Sequence, residues 1–264
     1  MSNKKTKIIA IANQKGGVAK TTTAVNLSTA LALAGQKIAI IDLDPQGNAS
    51  TGLGIGVKDR KCTIYDVLVN EININEACYP SNIKNLDVIP SDIDLSAAEV
   101  ELIALENKEN RLRNALANFD NKKYDFIIID CPPSLGQLTI NALTAADAIL
   151  IPMQCEFYAL EGLSHLLKSI DLIQTKLNKH LKILGVVLSM FDKRNKLTEQ
   201  VADDVKACLG ELVFNTVIPR NVRISEAPSH GMPVLIYDPN CVGSKAYHEL
   251  AKELILRERL VILK

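Results

Sequence analysis

The sequence carries no excess of charge of either sign: 30 Lys and Arg balance 30 Asp and Glu across 264 residues. A global positive field that would draw in nucleic acid is excluded, so any such affinity has to come from a local patch. Paired cysteines are missing too. The six present, at positions 62, 78, 131, 155, 208 and 241, show neither C-x-x-C spacing nor nearby histidine pairs. That argues against a zinc site or a disulfide framework and for free thiols in a reducing compartment. There is no long hydrophobic run near the start, where the polar, basic MSNKKTK is followed by apolar residues only at 8–12, far short of a signal-peptide core or a membrane span. A cytoplasmic protein is expected. No internal repeat, low-complexity tract or Pro/Gly/Ser-rich linker divides the chain, so residues 1–264 are expected to form one domain.

What the chain does have is 47% hydrophobic residues, enough for a sizeable core, set out in a regular alternation. Short apolar runs rich in β-branched residues recur at 7–12, 37–42, 86–90, 126–130, 148–152 and 183–190. Each has the pattern of a strand buried on both faces. Helical patterns lie between many of them, at 21–34, 97–105, 111–119, 162–177 and 198–209. The alternation predicts an α/β fold with a doubly wound, mostly parallel sheet covered by helices on both faces. The least regular stretch, the glycine-rich 47–61, is expected to be a mobile surface loop, where a nucleotide-sensing element could sit.

The first strand-like run leads straight into NQKGGVAKTTTAVNL. Gly16, Gly17, Val18, Ala19, Lys20, Thr21 and Thr22 therefore lie between a buried strand and a helix, the context of a phosphate-binding loop. Backbone N–H groups and the positive helix end surround anionic oxygens there, Lys20 neutralises β- and γ-phosphates, and the Thr21 hydroxyl ligates Mg²⁺. The usual G-x-x-x-x-G-K-[ST] pattern is absent, because Gln14 and Ala19 stand at its two glycine positions. A left-handed backbone at position 19 would cost alanine about 1–2 kcal/mol. The expectation is therefore a negative φ there, with nucleotide binding preserved.

Acidic residues end two other strand-like runs: Asp42 and Asp44 in KIAIIDLDPQGN, and Asp130 in FIIIDCPPS. In an open α/β sheet, ligands bind beyond the carboxyl ends of the strands, so lysine, threonine and carboxylates are gathered around one nucleotide. Asp130 has the setting of a Walker B carboxylate that holds Mg²⁺ through water. Asp44 opens the following loop and is the candidate for positioning or activating the attacking water. ATP is favoured over GTP, since no N-K-x-D pattern occurs and Asn178-Lys179 is followed by His180-Leu181.

The loop resembles the deviant Walker A form, K-G-G-x-G-K-[ST], of the ParA/MinD family of ATPases, from which only Ala19 departs. NQKGGVAKTTTAVNL, DLDPQGNASTGLG, IIIDCPPSLGQLTINAL, QCEFYALEGL and IPRNVRISEAPSHGMP extend the likeness to the short ParA/Soj-type chromosome-partitioning ATPases over nearly the whole chain. The resemblance implies a P-loop ATPase that forms a MgATP-dependent homodimer, with Lys15 reaching the phosphates held by the opposite subunit. Two facing polyanions need cations between them, and Lys15 supplies one from each chain. It also implies adenine contacts at Pro219 and Asn221, phosphate contacts to non-specific double-stranded DNA from Arg194 and Arg223 with Lys193, Lys196 and Arg220 nearby, hydrolysis stimulated by a ParB-type centromere-binding protein, and association with the nucleoid. The run before the first strand is too short for the operator-reading helix-turn-helix of longer relatives, so specific DNA reading is not expected.

Other readings stay open. A MinD-like ATPase shares the nucleotide site but attaches to membrane through a C-terminal amphipathic helix. Here Tyr247, Leu250, Ala251 and Leu254 have core spacing, Glu253 and Glu258 interrupt a basic face, and the apolar tail 260–263 is short, which disfavours lipid. A non-hydrolysing ATP-dependent scaffold, with turnover disabled by Ala19, is a third reading. An iron–sulfur reductase of related fold lacks a partner for Cys131, which reads as a small buried residue. His230 reads as a turn or packing residue.

Overall fold

The computed structural model describes residues 6–119 and 123–262. The strands are β1 (Lys7–Ile11), β2 (Ile38–Asp42), β3 (Tyr79–Pro80), β4 (Leu86–Ile89), β5 (Phe126–Asp130), β6 (Ala148–Gln154) and β7 (Lys182–Ser189). They form one sheet in the order β3-β4-β2-β5-β1-β6-β7, with parallel pairing everywhere except at the two-residue edge strand β3. The isoleucine-rich strands KIIAI, IAIID and FIIID are central, where both faces are covered and no polar face is needed.

The helices are α1 (Lys20–Leu33), α2 (Asn48–Gly52), α3 (Ile64–Leu68), α4 (Leu95–Glu101), α5 (Arg111–Ala117), α6 (Gln137–Ala145), α7 (Ala159–Lys176), α8 (Lys196–Leu209), α9 (Val222–Glu226), α10 (Val234–Tyr237) and α11 (Val242–Ile262). Strand residues alternate between two core layers. Ala10, Ile41, Ile127 and Ile129 face the layer built with α5, α6 and α7, whereas Ile9, Ile11, Ile40 and Ile128 face α1 and α11. Helix α1 is buried on nearly every side, Thr23 and Ala24 through Ala32 included, which explains its weak amphipathic pattern.

Two features place the site. All the parallel strands end on one edge, and the β2–β5 register sets Asp42 beside Asp130 while the β1–β5 register sets Ile11 beside the same residue. The expected mobile loop at 47–61 is a correction: it contains α2 and a 3₁₀ turn at Val57–Asp59, and it closes on the buried side chain of Arg60. Hydrogen bonds from distant parts of the chain order this stretch, and local composition does not register them.

Candidate functional site

The loop between β1 and α1 is held by the neighbouring strands β6 and β7. Asn13 donates its amide to the Pro152 carbonyl at 2.8 Å and accepts the Lys15 N–H at 3.0 Å. At the end of β7 the Ser189 hydroxyl donates to the carbonyl of the buried Val18 at 2.9 Å. Gly17 turns the chain with φ 74° while Gly16 and Gly17 stay exposed. Ala19 is the N-cap of α1 with φ 64° and ψ 36°, and its carbonyl accepts the Thr23 N–H at 2.9 Å. The expected negative φ is therefore wrong. The turn from loop into helix demands the left-handed region, and the chain bears the alanine cost there. Helix α1 begins without a side-chain cap and without an acid in its first turn, so its free N–H groups are left for an anion.

Lys20 is only 6% exposed, and its ammonium donates to the Lys15 carbonyl at 2.9 Å. Burial lowers its pKa, opposed by the negative charge of Asp130 and, further down, of Asp44. Asp42 is fully buried but well provided for: Oδ2 accepts the Ser50 N–H and hydroxyl at 2.8 and 2.7 Å, and Oδ1 accepts the Asp44 N–H at 3.2 Å. Burial nonetheless pushes its pKa up to about 6. Asp130 is different. Neither of its buried oxygens has a hydrogen-bond partner of ordinary geometry, although the Thr21 hydroxyl is near enough to favour the charged form. Burial first, and then the Asp42 charge, hold its pKa well above the usual carboxylate value. Lys20, Thr21, Asp130 and Asp44 are thus brought to one point, and Asp42 joins them. The sequence showed Asp42 at a strand end, but its adjacency to Asp130 needs the strand register.

A family model described as an AAA domain matches residues 6–183. The chain is 56% identical over 260 residues to the chromosome partitioning protein ParA of Caulobacter vibrioides strain NA1000, covering 98% of this chain and 97% of that one. It is 53% identical over 248 residues to the sporulation initiation inhibitor protein Soj of Bacillus subtilis, covering 94% and 98%. The chain belongs to the ParA/Soj family of chromosome-partitioning ATPases. The fold agrees. A solved cobyrinic acid a,c-diamide synthase of Mycobacterium smegmatis with bound ADP and magnesium matches with a TM-score of 0.84 at 35% identity, over 96% of each chain.

Other residues of this ParA/Soj-family chain stand further out. The half-exposed side chain of Lys15 forms an ion pair with Glu156, a partner that no sequence spacing announces. Beside Thr21 and Thr22 lies a recess of about 300 Å³, closed on its far side by Asn48, Thr51 and Met232. Pro219 and Asn221 are not among its walls. Pro219 bridges to Phe191 past the end of β7, and Asn221 caps α9 by accepting the Arg223 N–H at 2.9 Å. Arg194 and Arg223 are exposed but each has an acidic partner: Asp192 grips Arg194 at 2.9 and 2.8 Å, and Glu226 and Asp238 lie 2.9 and 3.5 Å from Arg223. Hydrogen bonds from Arg194, with the Arg220 charge adding to them, hold Asp192 down to about 2.

Tyr247, Leu250, Ala251 and Leu254 are buried as their spacing predicts. Glu253 accepts the Asn215 and Thr216 N–H groups at 2.9 Å each, and Glu258 pairs with Lys7 at 3.1 Å, so both acids tie α11 to the body of the protein. No described helix is long and apolar enough to cross a membrane. The apolar tail at 260–263 lies outside the described side chains. Cys131 is buried and His230 stacks on Tyr237 at 4.8 Å, each a packing residue as read.

Proposed function

We propose that this chain is a MgATP-driven partitioning switch: a homodimer forms on ATP, binds double-stranded DNA without sequence preference, and is released when a ParB-type partner stimulates hydrolysis. The observation that carries the reading is the unpartnered carboxylate of Asp130, buried beside Asp42 and the Thr21 hydroxyl and within the field of Lys20. An oxygen-only donor set with two acids and a hydroxyl suits a hard, oxygen-seeking cation. Thr21 and Asp130 would hold Mg²⁺, which would supply neutralisation of phosphate charge.

The chain's own groups do the rest. N–H groups of Gly16 through Thr22 surround the phosphates, Lys20 offsets their charge, and Asp44 orients the attacking water. Pro219 and Asn221 offer an apolar ring and an amide suited to a purine. Lys15, half exposed at the rim, is free to exchange Glu156 for the nucleotide of a second copy, and two exposed rings, Phe157 and Tyr158, follow Glu156 as apolar contact area. Arg194 and Arg223 meet DNA phosphates, and no base contact is required. Nucleoid association and a response to a ParB-type partner are what the resemblance to the ParA/Soj family implies.

Sizing chromatography of the apo, ADP and ATP forms, repeated with added DNA fragments, tests the reading. A doubled mass with ATP alone, followed by co-elution with DNA, is expected. A monomer in all three states, or DNA binding indifferent to nucleotide, rejects it.

A further inference from the structure

Asp44 follows β2 on a segment with no strand ladder to hold it. What fixes the segment is a buried network drawn from three other parts of the chain. The Gln46 N–H donates to Asp44 Oδ1 at 3.0 Å and the Gly47 N–H to the Asp44 carbonyl at 2.9 Å, closing a tight turn over Pro45 and Gln46. The Ser91 hydroxyl, just beyond β4, donates to that same carbonyl. Ser91 also donates its N–H to the Ser50 hydroxyl at 3.2 Å, and Ser50 in turn serves Asp42.

Arg60 encloses this turn from behind. Its Nη1 donates to the Ser91 carbonyl at 2.8 Å. Its Nη2 donates to the Gly47 carbonyl at 3.3 Å, the Thr51 hydroxyl at 2.7 Å and the Ile55 carbonyl at 2.8 Å, and its Nε reaches the Ile55 carbonyl at 3.2 Å. One guanidinium thereby joins the end of β4 to both ends of α2. The approach is close enough that a Cβ on Gly47, where φ is 62°, would run into Arg60 and come within 3.1 Å of the Ser91 carbonyl.

Arg60 is 9% exposed. Burying a cation is costly, and well-packed apolar residues often stabilise a fold as well or better. A planar fork of five donors provides what an apolar side chain cannot: several acceptors held at fixed angles at once. Those acceptors lie on both sides of the segment that carries Asp44. We infer that Arg60 is a positioning residue of the hydrolytic site, holding the Asp44 turn in place through Ser91, Gly47 and Thr51. This rests on the reading of Asp44 as the group that orients the attacking water.

The test is steady-state ATP hydrolysis, fluorescent ATP-analogue binding and thermal melting for Arg60→Met, Arg60→Lys, Ser91→Ala, Asp44→Ala and the Arg60→Met/Asp44→Ala double variant. Arg60→Met should lower kcat about 10- to 100-fold while KM moves less than about threefold, with Arg60→Lys between it and wild type. In the Asp44→Ala background, Arg60→Met should lower kcat by no more than about twofold further, because a residue acting through Asp44 has nothing left to act on. Ser91→Ala, which removes only a hydroxyl, should lower kcat in the same direction and serves if Arg60→Met does not fold. Wild-type kcat in Arg60→Met or Ser91→Ala, or losses that multiply in the double variant, overturn the inference. Wild-type kcat in Asp44→Ala overturns the reading of Asp44, and the inference with it, by a result that the Arg60 variants cannot mimic.

Discussion

Two residues of the candidate site carry costs that a substitution can read out. Ala19 sits at φ 64°, which costs an L-residue about 1–2 kcal/mol. Glycine relieves that strain but gives back about 0.5–1 kcal/mol through the wider freedom of the unfolded chain. Ala19→Gly should therefore raise stability by about 0.5–1 kcal/mol in denaturant melts and leave ATP affinity intact; a less stable variant would contradict the left-handed geometry. Asp130 carries a larger burden. Burial holds its pKa well above the usual carboxylate value, and that of Asp42 beside it is pushed up to about 6, so the folded chain holds protons that the unfolded chain releases. The resulting contribution to stability is complete below about pH 4 and is lost as pH rises through about 6 and beyond. In EDTA, Asp130→Asn should melt above wild type at about pH 8 and converge with it towards about pH 4, while added Mg²⁺ raises the wild type alone. Differential scanning fluorimetry checks this, and a variant that melts below wild type at the higher pH counts against an unpaired buried carboxylate.

Among the elements, the long and doubly buried ones were legible in the sequence and the short ones were not. Strands β1, β2, β4, β5, β6 and β7 fall within two residues of the apolar runs, because strands covered on both faces are apolar throughout. Helices α1, α7 and α8 differ by no more than three residues at their starts. By contrast, α2 and α10 depend on contacts far along the chain: the Ser91 N–H, donating to Ser50 at 3.2 Å, for the first, and for the second the Asn26 side chain, which accepts the Val234 N–H at 2.8 Å. The site divides in the same way. Lys20, Thr21 and Asp130 were legible because each ends or begins a regular element, whereas Ser50, Ser91 and Glu156 act only through tertiary neighbours. Asp192 matters for the loop after β7, since Arg194 would have to leave it to meet a DNA phosphate as proposed. The Arg194 side chain is 89% exposed, and an exposed pair of this kind holds its partners only weakly. Arg194→Ala and Arg223→Ala should each weaken DNA binding similarly for every sequence and reduce the salt slope by about one, with ATP-dependent dimers retained. Electrophoretic shifts across a salt series measure this, and unchanged slopes remove both arginines from the DNA surface.

At the scale of the whole molecule, the proposed ATP dimer of a chain with zero formal net charge would bring two strongly anionic nucleotides face to face. The overall field does not help, so the cations must be local and must lie at the rim. Lys20 is buried and committed to its own loop, whereas the family resemblance implies this role for Lys15, whose side chain is 45% exposed and paired with Glu156. That pair neutralises Lys15 in the single chain but is weak enough, at about 0–1 kcal/mol, to yield to a phosphate that offers more charge. Under this proposal dimerisation would cost little on the protein side and would depend on the nucleotide being present. Lys15→Gln keeps the length and polarity of the side chain but removes its charge, so the variant should bind a fluorescent ATP analogue within about threefold of wild type while losing the ATP-induced dimer, a loss of about 2 kcal/mol or more in association. Binding titration and sizing chromatography on the same preparation separate the two effects. Normal dimers in the variant would show that the facing phosphates are neutralised by some other group, and weak nucleotide binding would show that Lys15 serves its own subunit.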